Sequence, residues 1–292
     1  MKRVLLLETI ADEAHDLLAT SVETVLAPDP RDATDVARET DPHAIVTRGK
    51  GLVVPPVVDA CPNLVAVARC GVGLDNVDVA HCTARDVKVL NLPGSNADTI
   101  AEHAMMLVLA LTRGLVQWAN AVCDGRWADR GAFAHDEVRG KVIGIVGMGA
   151  IGSRVARLAD AFGMTVLYTD LRDRGVHERV ALDALLERAD VVTLHCQLDE
   201  TTRGLFDQDA FARMKPGAIL VNTARGEILD PHALRSALDR LGGFGADVLD
   251  QEPPDPQDPL LAHPNVVLTP HVGSLTARTY VEMCVRSVQN VL

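Results

Sequence analysis

The residues most ready for chemistry lie between Lys141 and Asp170. An apolar run, Val142-Ile143-Gly144-Ile145-Val146, meets Gly147-Met148-Gly149-Ala150-Ile151-Gly152. A helix-like segment, Ser153 to Phe162, and a strand candidate, Thr165 to Thr169, lead to Asp170. This spacing is that of a dinucleotide turn. Gly147 permits a tight turn off the strand, Gly149 lets backbone approach a pyrophosphate, and Gly152 lets the helix pack close to the sheet. The helix N-terminus aims free N–H groups and its positive dipole end at the phosphates. Asp170 stands near the roughly 20-residue spacing expected of an acid that bonds the ribose hydroxyls. An acid there repels a 2′-phosphate, so the expected cofactor is NAD rather than NADP, with Arg172 and Arg174 close by as opposing charges.

Three polar landmarks follow at the ends of predicted strands, where ligands bind in open α/β sheets. They are Arg225 in Val221-Asn222-Thr223-Ala224-Arg225-Gly226, Glu252 in Asp247-Val248-Leu249-Asp250-Gln251-Glu252-Pro253, and His271 in Leu268-Thr269-Pro270-His271-Val272-Gly273. Singly, each reads as a solvated arginine, a loop carboxylate or a turn histidine. After a nucleotide turn they form a constellation.

The elements that must position these groups alternate in βαβ rhythm. In the first ninety residues strands are predicted at Val4–Leu7, Val22–Leu26, Ala44–Thr47, Leu64–Ala68 and Val87–Leu90. Helices are predicted at Asp12–Ala19, Ala33–Glu39, Pro55–Ala60 and Val77–Arg85. Thr99 and Glu102 have capping-box spacing, and one helix of 22 residues, roughly 33 Å at 1.5 Å per residue, is expected to end near Asn120 and to bridge two domains. Residues 121–140 are irregular, with Trp127 and Phe133 as isolated anchors. They read as a surface loop or as an arm gripping a second subunit, and we favour the arm. Six further parallel strands, at 142–146, 165–169, 190–194, 218–222, 244–248 and 266–269, describe a doubly wound domain. Thr276 to Leu292 is a terminal helix.

Composition sets bounds. A chain of 292 residues suggests two domains on a prior of ~150 residues each. Hydrophobic residues make up 48% but aromatics only 3%, so Val, Leu, Ala and Ile must pack the cores, as in parallel sheets covered by helices. A net charge of −12 argues against nucleic acid or anionic membrane as partner, though local arginines still suit an anionic substrate. Lys2-Arg3 leads into an apolar run too short for a signal peptide, and Ala104–Leu111 is far below the ~20 residues that span a bilayer. The six cysteines, at 61, 70, 82, 123, 196 and 284, have no CxxC spacing and read as reduced thiols of a cytoplasmic protein. We expect no metal site.

In motif content and order the chain resembles the D-isomer-specific 2-hydroxyacid dehydrogenases, in flavour the catalytic core of the phosphoglycerate enzymes. The resemblance rests on Arg69-Cys70-Gly71-Val72-Gly73-Leu74-Asp75-Asn76-Val77-Asp78, Asn91-Leu92-Pro93-Gly94, Ala101-Glu102-His103, the glycine turn and the three landmarks, and spans essentially the whole chain. It implies two Rossmann-like or flavodoxin-like parallel-sheet α/β domains with a cleft between them. The substrate domain would be residues 1–97 plus 275–292 and the NAD-binding domain 98–274. It also implies roles. His271 is proton donor in reduction of a 2-oxo acid and base in the reverse direction; its unperturbed pKa of about 6.5 suits the task. Glu252 pairs with His271 and favours its charged form. Arg225 binds the substrate carboxylate and polarises the carbonyl, and the N–H groups of Val72 and Gly73 receive the carboxylate from the other domain. Ala150 and Ile151 fall at the pyrophosphate and Asp170 at the adenine ribose. Cys196, Thr223 and Ala224 line the nucleotide pocket, Asp247 meets the nicotinamide amide, and Gly273 and Ser274 lie against the cofactor. For Cys196, ordinary packing is the competing reading.

Some positions depart from the family pattern. Gln197 stands where proline is common, Arg240-Leu241-Gly242-Gly243 is slightly short, and Gly49-Lys50-Gly51 replaces hydroxyl residues typical of phosphoglycerate enzymes. Arg48 and Arg69 have two readings, a seat for a second anion such as phosphate or ordinary ion pairing. We expect a chain without a C-terminal regulatory domain, whose final helix stops early. The expectation is an NAD-dependent oxidoreductase acting on a small 2-hydroxy or 2-oxo acid, homodimeric through residues 99–140. Two alternatives belong to the same fold: an NAD-sensing corepressor, and an enzyme that oxidises formate or phosphite.

Overall fold

The computed structural model describes residues 2–132, 135–175 and 177–292. The chain divides into two compact units, residues 1–96 with 274–292, and residues 97–273.

In the first unit, β1 (Arg3–Leu6), β2 (Glu23–Leu26), β3 (Ala44–Thr47), β4 (Ala66–Arg69) and β5 (Lys88–Leu90) form a parallel sheet in the order β2-β1-β3-β4-β5. Successive side chains of a strand point to opposite faces, and the sequence fills both with small aliphatics. Leu5, Leu7, Ile45 and Val67 pack on one side with Ala37, Val57 and Val58. Val4, Leu6, Val46 and Ala68 pack on the other with Ala14, Leu18, Cys284 and Val288. The second face is therefore closed by helix Asp12–Ala19 together with helix Ala277–Val291. Thr276 caps that last helix through the N–H of Thr279, so the unit is discontinuous in sequence.

In the second unit, β6 (Val142–Val146), β7 (Thr165–Thr169), β8 (Glu178–Arg179), β9 (Val191–Leu194), β10 (Ile219–Asn222), β11 (Gly243–Ala246) and β12 (Val266–Leu268) run parallel in the order β12-β11-β10-β9-β6-β7-β8. The reversal of order lies between β6 and β9, beside the glycine turn. One face packs Ile143, Ile145, Tyr168 and Val221 against helices Ala97–Thr112 and Gly152–Ala161. The other packs Leu194, Leu220 and Phe244 with Leu185, Phe206 and Phe211. Gly243 and Gly245 let Leu111 and Leu107 lie almost on the strand; an added Cβ would come within 2.9 to 3.2 Å of those side chains.

Four sequence expectations need correction. The second sheet has a seventh strand among the described residues, β8, two exposed residues on the edge whose Glu178-Arg179 carries no apolar alternation. The expected single helix is two, Ala97–Thr112 and Leu115–Cys123, bent by 61° where Gly114 takes a left-handed φ of 58°. The first helix begins at Ala97, so Thr99 lies inside its first turn rather than at the cap. Trp127 does not anchor this stretch within the chain: it is 64% exposed, with Arg130 beside its ring, and Phe133 lies outside the described residues. Among the described residues no single helix is long and apolar enough to cross a membrane.

Candidate active site

At the end of β6 the backbone does most of the positioning. Gly147 has φ +94°, and a Cβ there would lie 2.7 to 2.8 Å from the backbone of His195 and Cys196. A Cβ on Gly152 would strike the Gly147 carbonyl at 2.1 Å. Gly149 differs: nothing lies within 4 Å of its Cβ position. No side chain caps the helix that starts at Gly152, whose N-cap is Ile151, while the Ala150 carbonyl accepts from Arg154 at 2.8 Å. Open backbone beside uncapped N–H groups fits a pyrophosphate.

Asp170 is built into the same turn. Its Oδ2 accepts the Met148 N–H and its Oδ1 the Arg172 N–H, both at 2.9 Å. The Arg174 guanidinium lies 3.6 Å from Oδ1, and Arg179 holds the Asp170 carbonyl at 2.8 and 3.0 Å. The carboxylate thus has a fixed aim beside three arginines. Thr223, just past β10, has a buried hydroxyl that meets no partner among the described residues, an orphan suited to a ligand. Burial pushes the Cys196 thiol up to about 11, so it stays neutral and packs, while its N–H borders Gly147.

The loop after β12 is folded around Asp247. This buried carboxylate accepts from the Thr269 hydroxyl (2.5 Å) and the Val272 N–H (2.9 Å) through Oδ1, and from the Gly273 N–H (2.7 Å) through Oδ2. A Cβ on Gly273 would sit 2.7 Å from Oδ2, so only glycine fits. His271 takes a left-handed φ of 55°, its N–H donating to the carbonyls of Asp247 and Thr269. That conformation costs about 1–2 kcal/mol, less than hydrogen bonds to a carboxylate contribute at about 1.5–3 kcal/mol each. The histidine is thereby aimed: its Nδ1 donates to Glu252 Oε2 at 2.8 Å, while Glu252 Oε1 accepts the Leu249 N–H at 3.0 Å. With Nδ1 committed, Nε2 is the nitrogen left for a reacting group.

Arg225 reaches this neighbourhood through its loop. A Cβ on Gly226 would lie 2.0 to 2.4 Å from the Leu249–Asp250 backbone, so the loops after β10 and β11 touch. Fully buried Asn222 ties the turn, accepting from the Ala224 N–H at 3.0 Å and donating to the Arg225 carbonyl at 2.8 Å. Arg225 Nη1 donates to the Ala224 carbonyl at 2.7 Å. Sequence reasoning missed Asn222, Thr269 and the anchoring role of Asp247. The only signal was their nearness to the landmarks.

In the first unit, the carbonyl of Gly71 accepts the Leu92 N–H at 2.8 Å and that of Val72 the Asn91 side chain at 2.7 Å. No acceptor among the described residues meets the N–H groups of Val72 and Gly73, leaving two adjacent donors for an anion. The Arg48 backbone N–H donates to Glu8 Oε2 at 2.9 Å, while its guanidinium is held by the Thr9 carbonyl at 3.0 Å and the Tyr280 ring at 4.7 Å. Arg69 donates to the Cys70 carbonyl at 3.0 Å and fills the space where Gly49 and Gly71 lack side chains.

Residues 105–273 match the family model described as D-isomer specific 2-hydroxyacid dehydrogenase, NAD binding domain. The chain belongs to the D-isomer-specific 2-hydroxyacid dehydrogenase family. Its second unit is accordingly that family's NAD-binding domain. The chain is 38% identical over 283 residues to a D-3-phosphoglycerate dehydrogenase of Archaeoglobus fulgidus, covering 94% of this chain and 54% of that one. It is 39% identical over 270 residues to a glyoxylate reductase of Korarchaeum cryptofilum, covering 88% and 81%. The chain spans about half the length of the phosphoglycerate dehydrogenase. The crystal structure of the TT0316 protein from Thermus thermophilus superposes with a TM-score of 0.89 at 34% identity, over 99% of this chain and 95% of that one. Asp170, Arg225, Glu252 and His271 all lie on loops that follow strands of the matched residues.

His195, at the end of β9, makes a testable contribution to stability. Its Nδ1 is buried without a partner among the described residues, its Nε2 lies 2.9 Å from Thr193 Oγ1, and burial pushes the imidazole down to about 3. Between pH ~6.5 and ~3 the unfolded chain therefore binds a proton that the fold excludes, so this group's contribution to stability falls as pH falls through that window. Urea denaturation from pH 7 to 5 should show His195→Gln losing less stability than wild type, by up to ~1.4 kcal/mol per pH unit; equal slopes would refute the assignment.

Proposed function

We propose that the protein interconverts a small 2-hydroxy acid and its 2-oxo acid with NAD(H). The observation that carries this reading is the Nδ1 bond from His271 to Glu252, which leaves Nε2 as the proton-transfer atom. NAD(H), when bound, supplies or accepts the hydride. The residues to hold it are Gly147, Gly149, Ala150, Ile151 and Gly152 at the pyrophosphate, Asp170 at the ribose, and Cys196, Thr223, Ala224, Asp247, Gly273 and Ser274 along the remainder.

In reduction, His271 Nε2 gives its proton to the developing alkoxide, and the Glu252 carboxylate offsets the charge of the imidazolium. In oxidation the same nitrogen takes the proton from the hydroxyl. The Arg225 guanidinium binds the substrate carboxylate and polarises the carbonyl oxygen, its planar fork setting which way the acid lies. Within the first unit, the adjacent N–H donors of Val72 and Gly73 suit a carboxylate. Arg48, held by a carbonyl and a ring, is a cation suited to a second anionic group such as a phosphorylated substrate would carry, with Arg69 on the same unit.

We further propose a homodimer formed through residues 99–140, in the cytoplasm. Supporting the dimer is an open apolar groove of about 510 Å³ lined by Met105, Met106, Leu109, Leu115, Leu158 and Phe162. Leu115, Val122 and Trp127 stand exposed nearby. Supporting the compartment, the six cysteines are free thiols.

Three measurements test the reading. Assayed with glyoxylate, hydroxypyruvate and 3-phosphohydroxypyruvate, the protein should oxidise NADH, and His271→Ala should lower kcat by at least ~100-fold while NADH still binds. Tight NADH binding without turnover of any such acid would end the enzyme reading. Asp170→Ala removes the charge that opposes a 2′-phosphate but leaves Arg172, Arg174 and Arg179, so the NADH-over-NADPH ratio of kcat/KM should drop about tenfold or more; a wild type that prefers NADPH contradicts the role given to this acid. By sedimentation, wild type should be a dimer and Leu115→Arg with Val122→Arg a monomer; an unchanged mass would move the interface elsewhere.

A further inference from the structure

Helix Ala97–Thr112 carries a histidine that the proposed chemistry does not use. His103 is largely buried, its side chain 14% exposed, and its Nε2 lies 2.8 Å from Thr269 Oγ1 and 3.5 Å from Asp247 Oδ1. The Thr269 hydroxyl spends its single proton on Asp247 Oδ1 at 2.5 Å, so toward His103 it acts as acceptor and the Nε2–H donates. A directed chain results, from His103 to Thr269 to Asp247. Asp247 in turn holds the N–H groups of Val272 and Gly273, the two residues after His271. The same imidazole also covers Gly273: its Cδ2 would lie 3.6 Å from a Cβ built there.

We infer that His103 is a positioning residue for the reaction, acting through Thr269 and Asp247 to hold the left-handed turn that presents His271. The inference rests on the dehydrogenase reading for its kinetic consequence, but not for its structural one. Asp247 Oδ1 accepts from both Thr269 and Val272. Removing the His103 donor frees the hydroxyl to rotate away from Asp247 and loosens one anchor of the turn. His271 needs that turn, because its φ of 55° is one a side-chain-bearing residue keeps only under constraint. A misplacement near 1 Å of a proton-transfer group is enough to slow a reaction about 100-fold. Substrate affinity set by Arg225 on its own loop is left largely alone.

The experiment compares His103→Ala, His103→Gln, Thr269→Val and the His103→Ala/Thr269→Val pair with wild type. Each is assayed for kcat and KM and followed by hydrogen exchange at the amides of residues 271–273. His103→Ala should lose roughly 10- to 100-fold in kcat with KM for the 2-oxo acid within about threefold. His103→Gln, whose amide N–H can serve the same hydroxyl, should stay within about threefold of wild type. Thr269→Val should fall as His103→Ala does, and the pair no further, because both break one chain. Exchange at 271–273 should quicken in His103→Ala and Thr269→Val but not in His103→Gln. Multiplying losses in the pair, a glutamine variant as slow as alanine, or unchanged exchange would each overturn the inference. Should the wild type reduce none of the acids, the dehydrogenase reading falls, and the exchange rates by themselves decide the role of His103.

Discussion

A single buried carboxylate, Asp247, organises the chemistry-bearing end of the second sheet. Its side chain is surrounded by three donors from one short loop, and its own carbonyl takes a fourth, the N–H of His271. Burying a charge is tolerable only when it is hydrogen-bonded, and here the bonds come from the segment that needs constraint. Solvation of the acid and presentation of the histidine are one structural event. Glu252 then fixes the ring from the other side, so both the backbone and the imidazole plane of His271 are specified.

Glycines supply the close approaches that make this possible. At Gly147, Gly152, Gly226 and Gly273 a Cβ would run into backbone or into a carboxylate, and each such contact joins two strand-end loops or a helix to the sheet. Gly149, in the same turn as Gly147 and Gly152, instead faces open space. Glycines that serve packing are thus distinguishable by what surrounds them.

Much of the scaffold was legible because both sheets are parallel and buried on two faces, which turns strands into short aliphatic runs. β3, β6 and β7 fall where the runs do, at Ala44–Thr47, Val142–Val146 and Thr165–Thr169. The misses share a physical cause. β8 is two exposed polar residues whose strand character comes wholly from β7. The bend falls at Thr112-Arg113-Gly114, a break between the apolar runs ending at Leu111 and starting at Leu115 that is too short to interrupt the helical periodicity. At the candidate site, Arg225, Glu252 and His271 were visible as ionisable side chains at strand ends. The Glu252–His271 bond and the Asp247 network were not, since they join residues about twenty apart or more whose proximity only the fold creates. His103 stands 166 positions from Thr269, beyond any local pattern.

The order of the chain has a consequence for how the molecule is made. Val4, Leu6, Val46 and Ala68 on the second face of the first sheet are covered in part by Cys284 and Val288 of the last helix. During synthesis that face emerges early and waits while residues 97–273 are translated. Non-local closure of this kind is slow and leaves apolar surface open to wrong partners. The second unit is contiguous and can complete both of its faces first. The first unit is therefore finished last, and its waiting face is where a nascent chain has most need of a chaperone.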